Sequence, residues 1–230
     1  MKAKIIATIG PSSLNAEMIH GMIKSGVTAV RINTKYGSLE QYEKIIQYSK
    51  DAGGCEVIFD VKNLDILDWL KTQEFDYIAL SFAETCRQIK DIRDLFAPRK
   101  IKIIAKIETD EGIKHIDNLI ECSDGIMVAR GDLGRNIPYE KVPLIQKMII
   151  KKCNEKKRMV ITATEMLLSM TNSQIPERAE ASDVANAILD GSDYLMLSEE
   201  TATGNFPLLS VQTMAKIINE TEKDIHILDI

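Results

Sequence analysis

The chain has 230 residues, 45% of them hydrophobic and 27% charged, with a net charge of −5. That balance suits one soluble domain, or two small ones, and a chain this long can bury about three quarters of its unfolded surface. It argues against a nucleic-acid partner, which calls for a basic face, and no apolar run approaches the ~18 residues needed to span a membrane.

Eight short runs rich in apolar and β-branched residues recur along the chain: Lys4–Ile9, Ala29–Asn33, Glu56–Val61, Tyr77–Phe82, Lys102–Glu108, Gly125–Arg130, Arg158–Thr164 and Tyr194–Ser198. Each reads as a strand covered on both faces. Amphipathic stretches fall between them. Ser38 and Gln41 open the stretch that ends at Asp51, and Thr85 with Gln88 precedes "IKDIRDLF"; both pairs have capping-box spacing. Asn63–Thr72 makes one short helix at best. Tyr139–Asn154 is long and amphipathic, Ala181–Leu189 stops at Asp190-Gly191, and Phe206–Glu222 closes the series. Lys151-Lys152 and Lys156-Lys157-Arg158 form a basic patch suited to a helix C-terminus. Eight strand–helix units in 230 residues predict an α/β fold, a single (β/α)8 TIM barrel spanning 1–230. A doubly wound sheet is the alternative, but no G-x-G-x-x-G follows the first strand. Met1-Lys2-Ala3-Lys4 leads straight into the first run, so no signal peptide and a cytoplasmic location are expected. Cys55, Cys86, Cys122 and Cys153 contain no C-x-x-C pair and make no zinc pattern with the three histidines. They are expected to be reduced thiols.

A barrel of this kind places function at the C-terminal strand ends. Those ends carry Arg31 and Asn33, Asp60 with Lys62 beyond it, Ser81, Lys106 and Glu108, Arg130 and Asp132, Thr162 and Thr164, and Ser198-Glu199-Glu200. Lys106 and Glu108 are two apart and so share a face. So many charges on one rim are hard to justify by stability alone. Glu108 and Asp132, from adjacent strands and with no nearby histidine or cysteine, suit Mg²⁺ or Mn²⁺. Arg31 and Lys106 suit a phosphate or carboxylate substrate. Gly131-Asp132-Leu133-Gly134 opens a turn or short helix whose amides can hold an anion. Lys106 also places positive charge where an enolate would develop its negative charge.

At this point longer stretches carry a resemblance. "KIIATIGPSS" (4–13), "GVTAVRIN" (26–33), "AKIETDEG" (105–112), "SDGIMVARGDLG" (123–134), "VPLIQKMIIKKCN" (142–154), "VITATEML" (160–167) and "RAEASDVANAILDGSDYLMLSEETATGNFP" (178–207) resemble the pyruvate kinase family. The resemblance implies that Glu108 and Asp132 hold a divalent ion and that Lys106 sits by the transferred phosphoryl group and the enolate. Arg31 would contact that phosphoryl group, the amides of Gly131 and Asp132 the substrate carboxylate, and Thr164 the face where the enolate takes its proton. Ser81 is grouped with the substrate-binding residues. The implied reaction passes the phosphoryl group of phosphoenolpyruvate to ADP, giving pyruvate and ATP, chiefly by positioning and charge neutralisation.

The chain also departs from the family. Asp60-Val61-Lys62-Asn63 runs almost directly into Asp68-Trp69-Leu70, where the family inserts a lid domain, and a C-terminal regulatory domain is not expected either. The family's potassium-binding serine is replaced by Lys35 and its nucleotide-side histidine by Tyr36, while Leu67 stands in the register of an arginine used near the nucleotide phosphates. Lys35 therefore has two readings: an internal cation that replaces K⁺, paired with Asp60 and near Asn33, or a residue solvated on its loop. ADP and ATP are expected to bind weakly, because lid closure is what excludes water. Two other functions stay open: Mg²⁺-dependent pyruvate-enolate chemistry of the oxaloacetate decarboxylase or aldolase type, and non-catalytic binding of phosphoenolpyruvate. Oligomeric state is left open, with a homo-oligomer or a partner as ways to complete the site.

Overall fold

Each apolar run forms a strand and each strand pairs with its sequence neighbours. The computed structural model, which describes residues 3–224, is thus a closed barrel of eight parallel strands. They are β1 (Lys4–Thr8), β2 (Val27–Asn33), β3 (Glu56–Val61), β4 (Tyr77–Leu80), β5 (Lys102–Ile107), β6 (Gly125–Ala129), β7 (Met159–Ala163) and β8 (Tyr194–Leu197). Pairing of β1 with β8, with Lys4 opposite Tyr194, closes the sheet and leaves no edge open to other chains.

Helices cover the outside: α1 (Ala16–Lys24), α2 (Leu39–Asp51), α3 (Leu67–Leu70), α4 (Cys86–Phe96), α5 (Asp110–Lys114), α6 (Ile116–Cys122), α7 (Arg130–Asn136), α8 (Val142–Glu155), α9 (Arg178–Leu189), α10 (Glu199–Ala202) and α11 (Pro207–Asp224). Both predicted capping boxes form, on Ser38–Gln41 and Thr85–Gln88. Gly191 ends α9 at φ +100°, a conformation glycine adopts without strain. The basic patch lies at the end of α8, where Lys152 and Lys156 reach Asp117 and Glu121 of α6. Helix α1, which no sequence pattern singled out, is capped by Asn15. Among the described residues no helix is long and apolar enough to cross a membrane.

The weakest stretch of the sequence pattern is also the thinnest part of the wall. After β3 the chain makes a 3-10 turn, Leu64–Ile66, and the four-residue α3. An aromatic cluster compensates: Phe59 packs edge-on against Tyr42, Trp69 and Phe75, and Phe75 against Phe96. Truncating a fully buried aromatic such as Phe59 typically costs about 3–5 kcal/mol.

Strand alternation builds the interior in layers. Ile6, Ala29, Ile58, Ala79 and Ile104 belong to the apolar filling of the barrel. Two residues further along the same strands, and so on the same inward face, come Thr8, Arg31, Asp60, Ser81 and Lys106. Below, Tyr77 and Tyr194 direct their hydroxyls to the two oxygens of Glu56 at 3.2 and 2.6 Å. The polar layer is therefore the next storey of the same packing, at the C-terminal mouth.

One expectation is corrected. Cys86 and Cys122 are joined as a disulfide, whereas Cys55 and Cys153 are free thiols. The two residues are 36 apart in sequence, but the barrel sets the first turn of α4 beside the last turn of α6.

A close backbone approach gives a prediction. A Cβ on Gly10 would stand 2.7 Å from the carbonyl oxygen of Ala202, whereas one on Gly21, inside α1, would meet only Leu208 at an ordinary 3.6 Å. Urea unfolding should show Gly10→Ala destabilising by about 1–3 kcal/mol, and Gly21→Ala stabilising by up to about 1 kcal/mol.

Candidate active site

The mouth of the barrel is organised by one carboxylate. Asp60 Oδ2 accepts from Arg31 Nε at 2.9 Å and Nη2 at 2.8 Å. Its Oδ1 accepts from Lys106 Nζ at 2.9 Å and from the Ser81 hydroxyl at 3.3 Å. Arg31 also donates to Thr8 Oγ1 at 3.0 Å, and Lys106 to Ser81 Oγ at 2.8 Å. Arg31, Asp60, Lys106 and Glu108 are all buried. Burial alone raises the pKa of Asp60, but the adjacent Arg31 and Lys106 outweigh it and hold the carboxyl below its ordinary value.

Glu108 follows β5 directly and lies 3.0 Å from Lys106 Nζ through Oε1. Its Oε2 accepts the N–H of Phe82 at 2.6 Å. Oε1 is buried and has no hydrogen-bond partner among the described residues. Burial pushes this carboxyl above the usual glutamate range, more than Lys106 and the Phe82 amide pull it down. Asp132 lies in the first turn of α7, half-exposed, with Arg135 at 3.4 Å from Oδ1. Asn136 ties the two acidic residues together, its Nδ2 donating to the carbonyls of both Glu108 and Asp132 at 2.9 Å.

Across the mouth, Thr164 follows β7 at φ +70° and Glu165 at φ +53°, a left-handed pair without glycine that carries backbone strain. Thr164 Oγ1 accepts the N–H of Gly131 at 2.8 Å and donates to the Ala163 carbonyl at 2.6 Å. Arg130 braces this turn, donating to the carbonyls of Ala163, Thr164 and Glu165, with Gln146 and Asp183 on its other side. One carboxylate, Asp183, lies 2.6 Å from it, but most of the Arg130 donors go to main-chain oxygens.

The structure thus brings Arg31, Asp60, Ser81, Lys106 and Glu108 into one bonded group, and sets Thr164 on Gly131. It does not do the same for Lys35, which is exposed with its ammonium 5.1 Å from the Tyr36 ring centroid. Its amide, not its ammonium, meets Asn33, through Oδ1 at 3.2 Å. The expected Lys35–Asp60 pair does not form, because Arg31 and Lys106 already take both Asp60 oxygens. Thr162 faces away from the mouth to Ser192. Glu199 is exposed, and Glu200 is buried on the N–H groups of Leu167 and Ser198.

Three contributors escaped the sequence reading. Thr8 was legible, as a polar residue two after Ile6 at the end of a strand. The Phe82 amide and Asn136 carry no side-chain periodicity that would mark them.

A family model described as pyruvate kinase, barrel domain, matches residues 57–211. The chain is similar to the pyruvate kinase of Geobacillus stearothermophilus, 52% identical over 169 residues that cover 72% of this chain and 29% of that protein. It is 52% identical to the pyruvate kinase of Clostridium acetobutylicum over 157 residues, covering 67% of this chain and 33% of the relative. Against the pyruvate kinase of Thermococcus litoralis it is 31% identical over 332 aligned residues, covering 96% of this chain and 70% of that protein. The chain thus spans about a third of the length of the first two relatives. The third alignment is longer than the chain itself, so that relative has inserted residues without counterparts here.

The Asp60 arrangement is testable through stability. Removing one partner of a buried charge group typically costs about 3–5 kcal/mol, and that is the loss expected for Asp60→Asn in urea unfolding at pH 7. A carboxyl held below its ordinary 3.8 stabilises the fold fully above that pH and less as pH falls through the folded pKa. The gap between the two proteins should therefore persist to pH 4 and narrow only in stronger acid; equal stability at pH 7 would remove Asp60 from this role.

Proposed function

The chain belongs to the pyruvate kinase family, and from that premise we propose that it handles phosphoenolpyruvate and pyruvate at the mouth of its barrel. The proposed reaction transfers the phosphoryl group of phosphoenolpyruvate to ADP, after which the enolate takes a proton and becomes pyruvate. The observation that carries this reading is Glu108 Oε1, a buried carboxylate oxygen whose one partner among the described residues is the Lys106 ammonium at 3.0 Å. A carboxylate oxygen keeps acceptor capacity beyond a single ion pair, and with Asp132 at the same mouth that capacity fits a site that receives a cation.

Glu108 and Asp132 would hold that cation, with water and substrate oxygens completing the shell; oxygen ligands alone suit Mg²⁺ or Mn²⁺. When bound, such an ion supplies charge neutralisation for the substrate's oxygens. The remaining work falls to this chain's own groups. Lys106, fixed by Asp60, Ser81 and Glu108, holds positive charge where the enolate oxygen develops its negative charge. Arg31, with its plane set by Asp60 and Thr8, turns its remaining N–H donors to the phosphoryl oxygens. A substrate carboxylate competes with Thr164 Oγ1 for the Gly131 amide. Displacing that hydroxyl frees Thr164 to face the methylene carbon and relay a proton to it, taking one from solvent in the same step. Only correct substrate seating then readies the proton donor.

The nucleotide side has less support. β3 reaches the 3-10 turn at Leu64 within two residues, so no inserted domain covers the mouth there. Without a cover that excludes water, transfer to ADP is expected to be slow. That short connection favours a second reading, in which the same residues stabilise a pyruvate enolate for a reaction that needs no nucleotide.

Deuterium exchange of the pyruvate methyl group, followed by NMR with and without Mg²⁺, tests the shared half of both readings. Exchange should require the metal and fall by about 100-fold or more in Lys106→Met, with circular dichroism confirming the fold; undiminished exchange would remove Lys106 from the mechanism. Pyruvate formed from phosphoenolpyruvate only when ADP is present supports transfer to ADP, and exchange without that activity supports the second reading.

A further inference from the structure

Two sulfur atoms that the proposed reaction does not use stand beside the loop that steadies Glu108. Cys86 is the first residue of α4 and Cys122 the last of α6. They are joined, half-buried, and on the wall of a surface cavity of about 410 Å³ that Glu84, His115, Asn118 and Glu121 also line. We propose that the Cys86–Cys122 bond is an exchange site for small uncharged dithiols, and that its redox state sets how firmly the β4–α4 loop holds Glu108. The first part stands on the sulfurs and their cavity; the consequence for catalysis rests on the function proposed above.

The path from sulfur to site is four residues long. Phe82 donates its N–H to Glu108 Oε2 at 2.6 Å while held at φ +53°. A non-glycine residue keeps that conformation only where its surroundings enforce it. The enforcing contacts converge on the start of α4. Gln88 donates to the Phe82 carbonyl at 3.2 Å and accepts from the amides of Glu84 and Thr85, both at 2.9 Å. Glu84 is held in turn by Thr109, at 2.7 Å, and His115 Nδ1 lies 2.9 Å from its carbonyl. The disulfide fastens this turn to α6. Opening it leaves the turn that carries this amide held by the Gln88, Thr109 and His115 hydrogen bonds without a covalent tie to α6, so local opening becomes easier.

The exchange balances without any further reactant. A thiolate of the dithiol attacks Cys122 Sγ, the S–S bond breaks and Cys86 departs as thiolate. Cys86 is the better leaving group because it begins the eleven-residue α4, whose N-terminal partial charge favours an anion, whereas Cys122 ends a helix. The reagent's second thiol then attacks the mixed disulfide and releases Cys122. Two electrons and two protons pass to the protein, and the reagent leaves as a disulfide. Glu84 and Glu121 on the cavity wall disfavour a negatively charged thiol. The other cysteines do not compete, since burial pushes the thiol of Cys55 up and that of Cys153 to about 12, leaving both protonated at neutral pH.

The experiment compares the air-oxidised chain with the same chain treated with dithiothreitol. Alkylation followed by mass spectrometry should label Cys86 and Cys122 only after treatment. Amide hydrogen exchange at Phe82 should speed up about tenfold on reduction while amides inside β5 stay unchanged, and reoxidation should reverse it. Pyruvate methyl exchange should fall about tenfold in parallel, because small displacements of a catalytic group cost that much or more. Cys122→Ser should match the reduced protein and ignore dithiothreitol. Labelling of both cysteines without reductant, or a Phe82 amide indifferent to it, overturns the proposal. If Phe82 responds but neither form exchanges pyruvate, the redox site stands and the proposed function falls. If pyruvate exchanges while Phe82 stays unresponsive, the proposed function stands and the redox site falls.

Discussion

Everything at the barrel mouth depends on Asp60 having two cations to serve. Arg31 and Lys106 come from strands on opposite sides of β3 and β4, and both are buried. Neither could be held there alone, since an unpaired buried charge is costly. Asp60 answers Arg31 with one oxygen and Lys106 with the other, so both side chains are fixed in direction as well as neutralised. Lys106 is then placed between two carboxylates, with Glu108 at 3.0 Å. The two buried cations thus face two buried carboxylates, while Asp132, half-exposed at the rim, has Arg135 at 3.4 Å. An anionic substrate would add negative charge to a group that is already balanced, which is the electrostatic argument behind the cation proposed at Glu108 and Asp132.

The opposite wall is held by a different device. The left-handed pair Thr164–Glu165 has no glycine to relieve it, and Arg130 keeps it in place by binding three successive carbonyls. Arg130 is itself positioned by Gln146 of α8 and Asp183 of α9, so the outer helices set the geometry of an inner turn. Glu200 fastens the following residues, taking the Leu167 amide at 3.0 Å and that of Ser198 at 2.7 Å. Buried without a cation, its carboxyl is pushed up in pKa. Polar groups are used here as fasteners for backbone, which explains why the sequence places charged residues at strand ends that never reach the centre of the mouth.

That distinction marks where the sequence stops being legible. Strand number, the closed barrel and the inward set Arg31, Asp60, Ser81, Lys106 and Glu108 follow from alternation, because one period of two governs both the apolar filling and the polar layer above it. Lys35 takes the solvated one of its two readings because it lies beyond the strand, where that period no longer fixes direction, and because Asp60 has two nearer partners. Cys86 and Cys122 depart from it because they sit on helices, and neighbouring helices of a barrel meet through packing that linear spacing does not encode. Asn136 and the Phe82 amide act through backbone groups, about which side-chain pattern says nothing.

These differences also separate the two halves of the proposed reaction. The pyruvate side is built from groups fixed to strands or to turns bonded directly onto them, so its geometry comes with the barrel and needs no other domain. The nucleotide side of a transfer site has to cover a second, large anion, and the wall nearest to it is the shortest connection in the barrel, a 3-10 turn followed by one four-residue helix over an aromatic cluster. That wall is sufficient to complete the fold, because Phe59 and its neighbours supply the packing an outer helix would otherwise give. It has no length to reach over the mouth. The fold and the proposed enolate site therefore do not depend on how well a phosphoryl acceptor is engaged, because none of the groups that fix Lys106, Glu108 and Thr164 belongs to that wall.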